Sequence, residues 1–147
     1  MTYMKARDFL EKIRNDDIVA AIQAAEKKTS GEIRVFISRQ EVEDPVAAAQ
    51  REFIRLGMTK TRHQNGVLIY VAPRARKFAV IGGKGVHEQC GEQFWKDLTA
   101  EMSQHFRESH FTRGLIHGVK KAGELLAQHF PCAPGDKNEL PDKIETD

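Results

Sequence analysis

The sequence predicts an α/β fold: a three-layer sandwich in which helices flank a small central mixed β-sheet. Two β-branched apolar segments, EIRVFIS at 32–38 and NGVLIYVA at 65–72, are separated by a helical pattern, which favours a parallel, right-handed crossover. A third, FAVIGG at 78–83, follows after the short connection PRARK. That favours an antiparallel hairpin, because a parallel return needs a dozen or more residues. The predicted element order is α, α, β, α, β, β, α, α.

The first two helices are predicted from their caps and apolar spacing. Residues 5–14 form a short first helix in this interpretation. The second begins at Asp16 or Asp17, either of which can cap it, and its apolar residues recur at helical spacing. It ends at Gly31, which can take a left-handed backbone conformation.

The middle of the chain carries the sheet. In the strand 32–38 we expect Arg34 to point outward while the aliphatic residues on either side of it face a core. Asp44 can cap the next helix, and Pro45 takes its favoured first position. The segment 65–72 is apolar almost throughout, which is typical of a strand buried on both faces at the middle of a sheet.

Two amphipathic helices close the domain, and their apolar residues follow the i, i+4, i+7 rule. We expect their aromatic side chains to lie in the core. The apolar positions are Phe94, Trp95, Leu98, Met102 and Phe106 in the first, and Phe111, Leu115, Val119, Ala122, Leu126 and Phe130 in the second. Residues 1–131 are therefore predicted to form a single domain. Residues 132–147 form a polar, extended or partly disordered tail, with Leu140 as its anchor.

Composition excludes several classes of protein. The chain has 147 residues, the size of one ordinary domain, and 40% hydrophobic with 30% charged residues is typical of a globular protein. Its formal charge of +2 is too small to predict a nucleic-acid partner. The N-terminal sequence has no apolar signal region, and the longest apolar run is too short to cross a bilayer. We therefore expect a cytoplasmic monomer with no membrane insertion.

The stretch IGGKGVHEQCGEQFW, residues 81–95, is the main candidate for chemistry. A glycine-rich turn between a strand and a helix can offer backbone N–H groups to an anion, and Lys84 or Arg74 could add positive charge. The spacing matches neither a Walker A loop nor G-x-G-x-x-G. The alternative is that Gly82, Gly83 and Gly85 supply unusual backbone angles for a tight connection.

The same stretch carries oxygen and nitrogen donors. Glu88 and Glu92, with backbone carbonyls of the turn, suit a hard cation such as calcium, and His87 lies beside them. A cluster of this kind is more often a solvated surface. The two cysteines, Cys90 and Cys132, have no C-x-x-C spacing and are expected to be free thiols. No recognised motif for a zinc site or a nucleophilic serine is present.

Three segments in order resemble the TPM domain family, whose members include thylakoid-lumen proteins linked to photosystem II repair. They are TSGEIRVFI (29–37), the hairpin NGVLIYVAPRARKFAVIGGKGVHE (65–88) and the helical pair at 94–131. The resemblance spans about residues 10–131. The tail sequence NELPD, at 138–142, is similar to that of small, soluble, stand-alone bacterial members.

The resemblance implies an α/β sandwich with a divalent-cation site, for calcium, in loops at one end of the sheet. Many members have Gly-Leu-Glu in the glycine-rich turn and an Asp several residues later. Here those positions read Gly85, Val86 and His87, with Glu92 near the Asp position. Glu88 can substitute for the displaced carboxylate. Asn65, like Glu32, matches a strand-edge position of the family.

Three functions follow as hypotheses. The first is a TPM-type binding or regulatory module that holds a divalent cation, calcium above all, through Glu88, Glu92, His87 and Asn65, with an unidentified protein partner. The second is a weak metal-assisted acid phosphatase, an activity attributed to some plant members, in which Lys84 or Arg74 holds the phosphate. The third is a protein-interaction domain without a ligand.

Overall fold

The computed structural model describes residues 5–61, 63–132 and 142–147 of the chain. In this part, 3₁₀ turns at Met58–Lys60 and Pro73–Ala75 accompany six helices and four strands. The helices are α1 (Ala6–Lys12), α2 (Asn15–Glu26), α3 (Pro45–Arg55), α4 (Lys84–Gln89), α5 (Glu92–Arg107) and α6 (Phe111–His129); the strands are β1 (Glu32–Ile37), β2 (Gly66–Ala72), β3 (Lys77–Gly82) and β4 (Glu145–Thr146).

The four strands form one mixed sheet in the order β3-β2-β1-β4. β1 runs parallel to β2, and β2 runs antiparallel to β3, as the connection lengths predict. β4 lies parallel to β1 on the opposite edge, where Phe36 pairs with Glu145 and Ile37 with Thr146. This fourth strand was not predicted, and it comes from the polar tail. Leu140, the expected anchor of the tail, lies outside the described residues.

Helices cover both faces of the sheet, which confirms the predicted three-layer sandwich. On one face, α1, α2, α5 and α6 pack on the alternate side chains Ile33, Val35 and Ile37 of β1 and their neighbours in β2. On the other face, α3 packs on Phe36 and on residues of β2 and β3. Every residue of β2 is buried, as expected for the central strand.

The helix starts show one correct and one wrong prediction. Asp44 caps α3 as predicted: its side chain accepts the N–H groups of Val46 and Ala47 at 3.1 Å each, with Pro45 at the first helical position. Asp16 and Asp17 do not cap α2. The helix begins one residue earlier, so both lie in its first turn, where negative charge stabilises a helix through its dipole.

Two further predictions are wrong, and both concern close packing. Arg34 does not point outward; it is only 2% exposed, because the C-terminal residues fold back over β1 and cover it. Gly31 is not left-handed, since Gly57 is the one glycine with positive φ in the described ranges. A Cβ atom at Gly31 would lie 2.9 Å from Leu126 Cδ1, so this position has little space for a side chain.

None of the helices described is long and apolar enough to span a membrane.

Candidate functional site

A groove with a volume of about 910 Å³ lies along the outer edge of β3. It lies between the two helical layers. Its lining comes from α3 and the 3₁₀ turn that follows it, from β3, and from α4 with the start of α5: Val46, Gln50, Phe53, Ile54, Thr59, Val80, Ile81, Gly82, His87, Cys90, Glu92, Trp95 and Lys96. Most of these side chains are apolar, and the floor of the groove is the edge of a strand.

The edge of β3 leaves backbone groups without a ladder partner. Gly83 N–H donates to the carbonyl of Gly66 at 2.8 Å, which identifies the hydrogen-bonded pairs of the antiparallel ladder. Because such pairs alternate, Ala79 and Ile81 bond to β2 while the N–H and C=O groups of Phe78 and Val80 point outward. Among the described residues no strand lies beyond this edge. An extended chain can therefore pair here.

The walls of the groove carry exposed apolar side chains. Ile54 is 64% and Val46 48% exposed, and these are the exposed large hydrophobic residues of the described chain. Both belong to α3. Trp95, predicted to lie in the core, is only partly buried and forms the opposite wall. Its indole N–H is buried and has no acceptor among the described residues.

The groove continues along β3 as a second depression of about 540 Å³, which reaches Ser103 and Arg107 of α5. Lys96 contributes to both depressions. His87 and Glu92 lie at the end near Gly82. The charge along the groove is therefore positive at its middle and at its Arg107 end.

The glycine-rich segment turns the corner at one end of this groove. Gly83, Gly85 and Gly82 all lack positive φ, so the predicted unusual backbone angles are wrong. Space is the reason for glycine: a Cβ atom would lie 2.5 Å from Gln64 O at Gly83, and 2.4 Å from His63 O at Gly85. Residues 63 and 64 therefore pack directly against the start of α4.

This packing also occupies two of the N–H groups that the turn could offer to an anion. Gly83 N–H donates to Gly66 O, and Gly85 N–H donates to Gln64 O at 2.9 Å. Neither group is available to a phosphate. Lys84, the first residue of α4, is exposed. Two N–H groups of the turn are therefore engaged within the protein.

The two predicted anion-binding side chains lie at opposite ends of β3. Lys84 follows the end of the strand, whereas Arg74 lies in the turn before it. A six-residue strand separates them by about 20 Å. Arg74 Nε lies instead 3.8 Å from Glu41 Oε2. The two side chains do not hold one phosphate together.

The predicted metal ligands do not converge either. His87, Glu88 and Glu92 are all exposed. Asn65 is buried, and its side-chain amide donates to Ser30 Oγ at 3.1 Å, in the loop before β1. Within residues 5–61, 63–132 and 142–147, no group of three or more His, Cys, Asp or Glu side chains is placed to hold a metal ion.

A carboxyl cluster that the sequence analysis missed lies where α2, β1 and the C-terminal residues meet. Glu26 Oε2 accepts the N–H of Ile33 at 2.8 Å. Burial, followed by a hydrogen bond with the Asp142 side chain, raises the pKa of Glu26 to about 10, and the charge of nearby Glu32 adds to this rise. With this pKa the Glu26 carboxyl is protonated at neutral pH, and it is hydrogen-bonded to the Asp142 side chain. Only the fold brings these residues together, so sequence spacing gave no signal.

The cysteines are both free, as predicted. Cys90 lines the groove, where burial raises the pKa of its thiol. The thiol form therefore predominates at neutral pH, and no described residue activates it as a nucleophile.

Comparison with known proteins identifies the family to which this α/β sandwich belongs. The model of the TPM domain family matches residues 4–125, and the chain belongs to that family. The chain is similar to the BA42 protein of the psychrophilic bacterium Bizionia argentinensis, solved by NMR: 39% identity, 90% of this chain and 92% of that chain covered, and a TM-score of 0.83. No match was found among curated proteins.

Two more distant structures share the fold alone. The N-terminal domain of the cg2496 protein from Corynebacterium glutamicum is 18% identical, covers 79% of this chain and 75% of its own length, and has a TM-score of 0.60. The N-terminal domain of a protein from P. gingivalis is 15% identical. The match covers 90% of this chain and 99% of that chain, and its TM-score is also 0.60.

Proposed function

We propose that this TPM domain is a protein-interaction module that binds an extended segment of a partner protein along the outer edge of β3. One observation carries the proposal: an open strand edge forms the floor of an apolar groove with exposed Ile54 and Val46 on one wall. Isolated exposed hydrophobic residues are ordinary, but here they flank unpaired backbone groups. Strand addition uses both features together.

The groove suits the two faces of an added strand. Backbone bonds to Phe78 and Val80 would supply affinity without much sequence preference. Side chains of an added strand alternate between the two sides. One set would contact α3 near Ile54, and the other would contact α5 near Trp95. Apolar residues at alternating positions of the partner are therefore expected.

The test starts from a library of random 12-residue peptides displayed on phage. Peptides selected on the wild-type domain are compared for binding to Ile54→Asp, which places a charge on the groove wall. Because Ile54 is 64% exposed, the fold should tolerate this change. Ala20→Asp, at an exposed position of α2, is the matched control.

We expect the selected peptides to bind Ile54→Asp at least about tenfold more weakly, since a buried unpaired charge costs more than 1.4 kcal/mol. Binding to Ala20→Asp should equal that of wild type. Selection that yields only peptides indifferent to Ile54→Asp would refute the groove as the binding surface.

Binding of a divalent cation, calcium above all, is the second candidate function. What supports it is the carboxyl cluster in which Glu26 is hydrogen-bonded to the Asp142 side chain near Glu32, because a cation can replace a proton held by such carboxyls. The oxygen donors suit a hard ion. The binding would require local adjustment of these side chains, and its affinity would rise with pH as the proton becomes easier to displace.

Calcium titration followed by NMR tests this candidate and separates two locations. Shifts in the amides around Glu26, Ile33 and Asp142 would support the carboxyl cluster. Shifts confined to His87, Glu88 and Glu92 would support the ligands predicted from the sequence. Amides that stay unchanged at millimolar calcium would exclude both.

A further inference from the structure

We propose that the edge of β1 is a second docking site, specific for an acidic extended segment of a partner protein, and that the chain's own residues 142–147 occupy it in cis. The site lies at the opposite edge of the sheet from the β3 groove. The proposal does not depend on that groove. It rests on the contacts that the resident segment makes, which show what chemistry the edge accepts.

The first contact is a buried ion pair. Glu145 Oε1 lies 2.5 Å from the guanidinium of Arg34, whose side chain is only 3% exposed. Arg34 extends from β1 beneath the resident segment. A buried guanidinium without a carboxylate partner is costly, so the edge favours an acidic occupant at this position.

The second contact lies two residues further along. Asp147 accepts hydrogen bonds from the Ser38 hydroxyl at 2.5 Å and from the Arg39 backbone N–H at 2.7 Å. The Arg39 guanidinium also donates to the main-chain oxygen of Asp147, with Nε at 2.8 Å. The Ser38 hydroxyl and the Arg39 N–H thus bind the Asp147 carboxylate, and the Arg39 guanidinium binds the main chain of the same residue.

These two contacts define a recognition pattern. Residues i and i+2 of an extended strand face the same side, so carboxylates at Glu145 and Asp147 reach Arg34 and Ser38 together. Backbone pairing with Phe36 and Ile37 fixes the parallel direction. An extended segment with acidic residues at i and i+2 is therefore the chemistry that fits.

The resident segment pairs with β1 over a short stretch only. β4 contains two residues, whereas β1 contains six, so backbone pairing covers only the carboxyl end of β1. Ile144 is the apolar residue of the segment that packs on the core, and the other contacts are polar. Short elements with few buried apolar contacts open locally at low free-energy cost.

The test uses the full chain and a labelled peptide with the sequence of residues 142–147, Asp-Lys-Ile-Glu-Thr-Asp. In the double variant Glu145→Lys, Asp147→Lys, the resident segment is repelled by Arg34 and Arg39 and leaves the edge free. Fluorescence anisotropy should then show binding at least about tenfold tighter than to wild type, because the intramolecular competitor is gone. Adding Arg39→Glu to this variant should abolish the gain.

A control peptide with lysine in place of its last glutamate and last aspartate should not bind the double variant. Equal affinity of the acidic peptide for the variant and for wild type would overturn the proposal. So would dimerisation of the wild type that the peptide does not reverse, because it would assign the edge to exchange between copies.

Wild type gives an independent measurement if the double variant fails to fold. With excess unlabelled peptide, NMR amide signals of Glu145 and Thr146 should move to the positions of an unpaired segment, while those of Phe36 and Ile37 remain those of a paired strand. Signals of all four residues that stay unchanged at millimolar peptide would overturn the proposal.

Discussion

At the scale of single residues, the lack of space for a side chain explains the glycines of the turn better than their backbone conformation does. The sequence shows glycines at 82, 83 and 85 but not which of their properties is needed. None of the three has a positive φ; side chains of Val86 and Trp95 lie close to Gly82, and at Gly83 and Gly85 the carbonyls of Gln64 and His63 occupy the space of a side chain. These two carbonyls belong to the loop before β2, so only the fold reveals that they lie against the glycines.

Gly85→Ala tests this explanation. Alanine normally stabilises a helix interior relative to glycine, and Gly85 lies within α4. Here its Cβ would lie 2.4 Å from His63 O, so we expect a loss of about 1–3 kcal/mol in the free energy of unfolding. Urea denaturation measures it. Gly91→Ala is the control, because nothing lies within 4 Å of its Cβ position, and a loss there equal to that of Gly85→Ala would contradict the account.

The raised pKa of Glu26 predicts how the stability of the folded protein depends on pH. Its pKa rises from 4.5 to about 10 on folding, so between these values the folded state keeps a proton that the unfolded state has released. The stability that the carboxyl contributes is therefore complete below pH 4.5 and declines as the pH rises towards 10. Glu26→Gln cannot titrate and should escape this decline.

Urea unfolding at pH 5 and pH 9 measures the effect. From the lower to the higher pH, wild type should lose stability relative to Glu26→Gln by an amount on the order of 1 kcal/mol or more. Exposed Glu88→Gln should follow the wild-type profile. Parallel profiles for wild type and Glu26→Gln would show that Glu26 carries no proton in the folded state.

At the scale of elements, local signals predict helices better than short strands. The cap of α3 is fully visible in the sequence as Asp44 followed by Pro45. β4 is not, because Glu145 and Thr146 form a strand only through pairing with Phe36 and Ile37. Its partner lies more than a hundred residues away along the chain, beyond the reach of any local pattern.

Asp44→Ala should reduce the free energy of unfolding by about 1 kcal/mol, because two N–H groups at the start of α3 lose their acceptor. Thermal or urea denaturation measures it. The adjacent Glu43→Ala should change stability little, since the contact of Glu43 with Lys77 uses its backbone carbonyl. Equal losses in both variants would exclude capping as the cause.

At the scale of the whole molecule, connection lengths and burial patterns predict the topology. The crossover to β2 and the hairpin to β3 could be predicted, since both follow from chain geometry and apolar runs. The groove could not be predicted, because it forms where α3 of one layer and α5 of the other approach the same strand edge. The convergence of the predicted ligands could not be judged from the sequence either: His87, Glu88 and Glu92 are neighbours along the chain, yet their exposed side chains do not form a group in the described structure.

Amide hydrogen exchange along β3 tests the central claim, that its outer edge is an open docking edge. In the free protein, Ala79 and Ile81 should exchange slowly, and Phe78 and Val80 fast, because their N–H groups point away from β2. A peptide selected on the domain should slow Phe78 and Val80 and leave the other two unchanged. Slow exchange at Phe78 and Val80 in the free protein, or no slowing with bound peptide, would contradict the account.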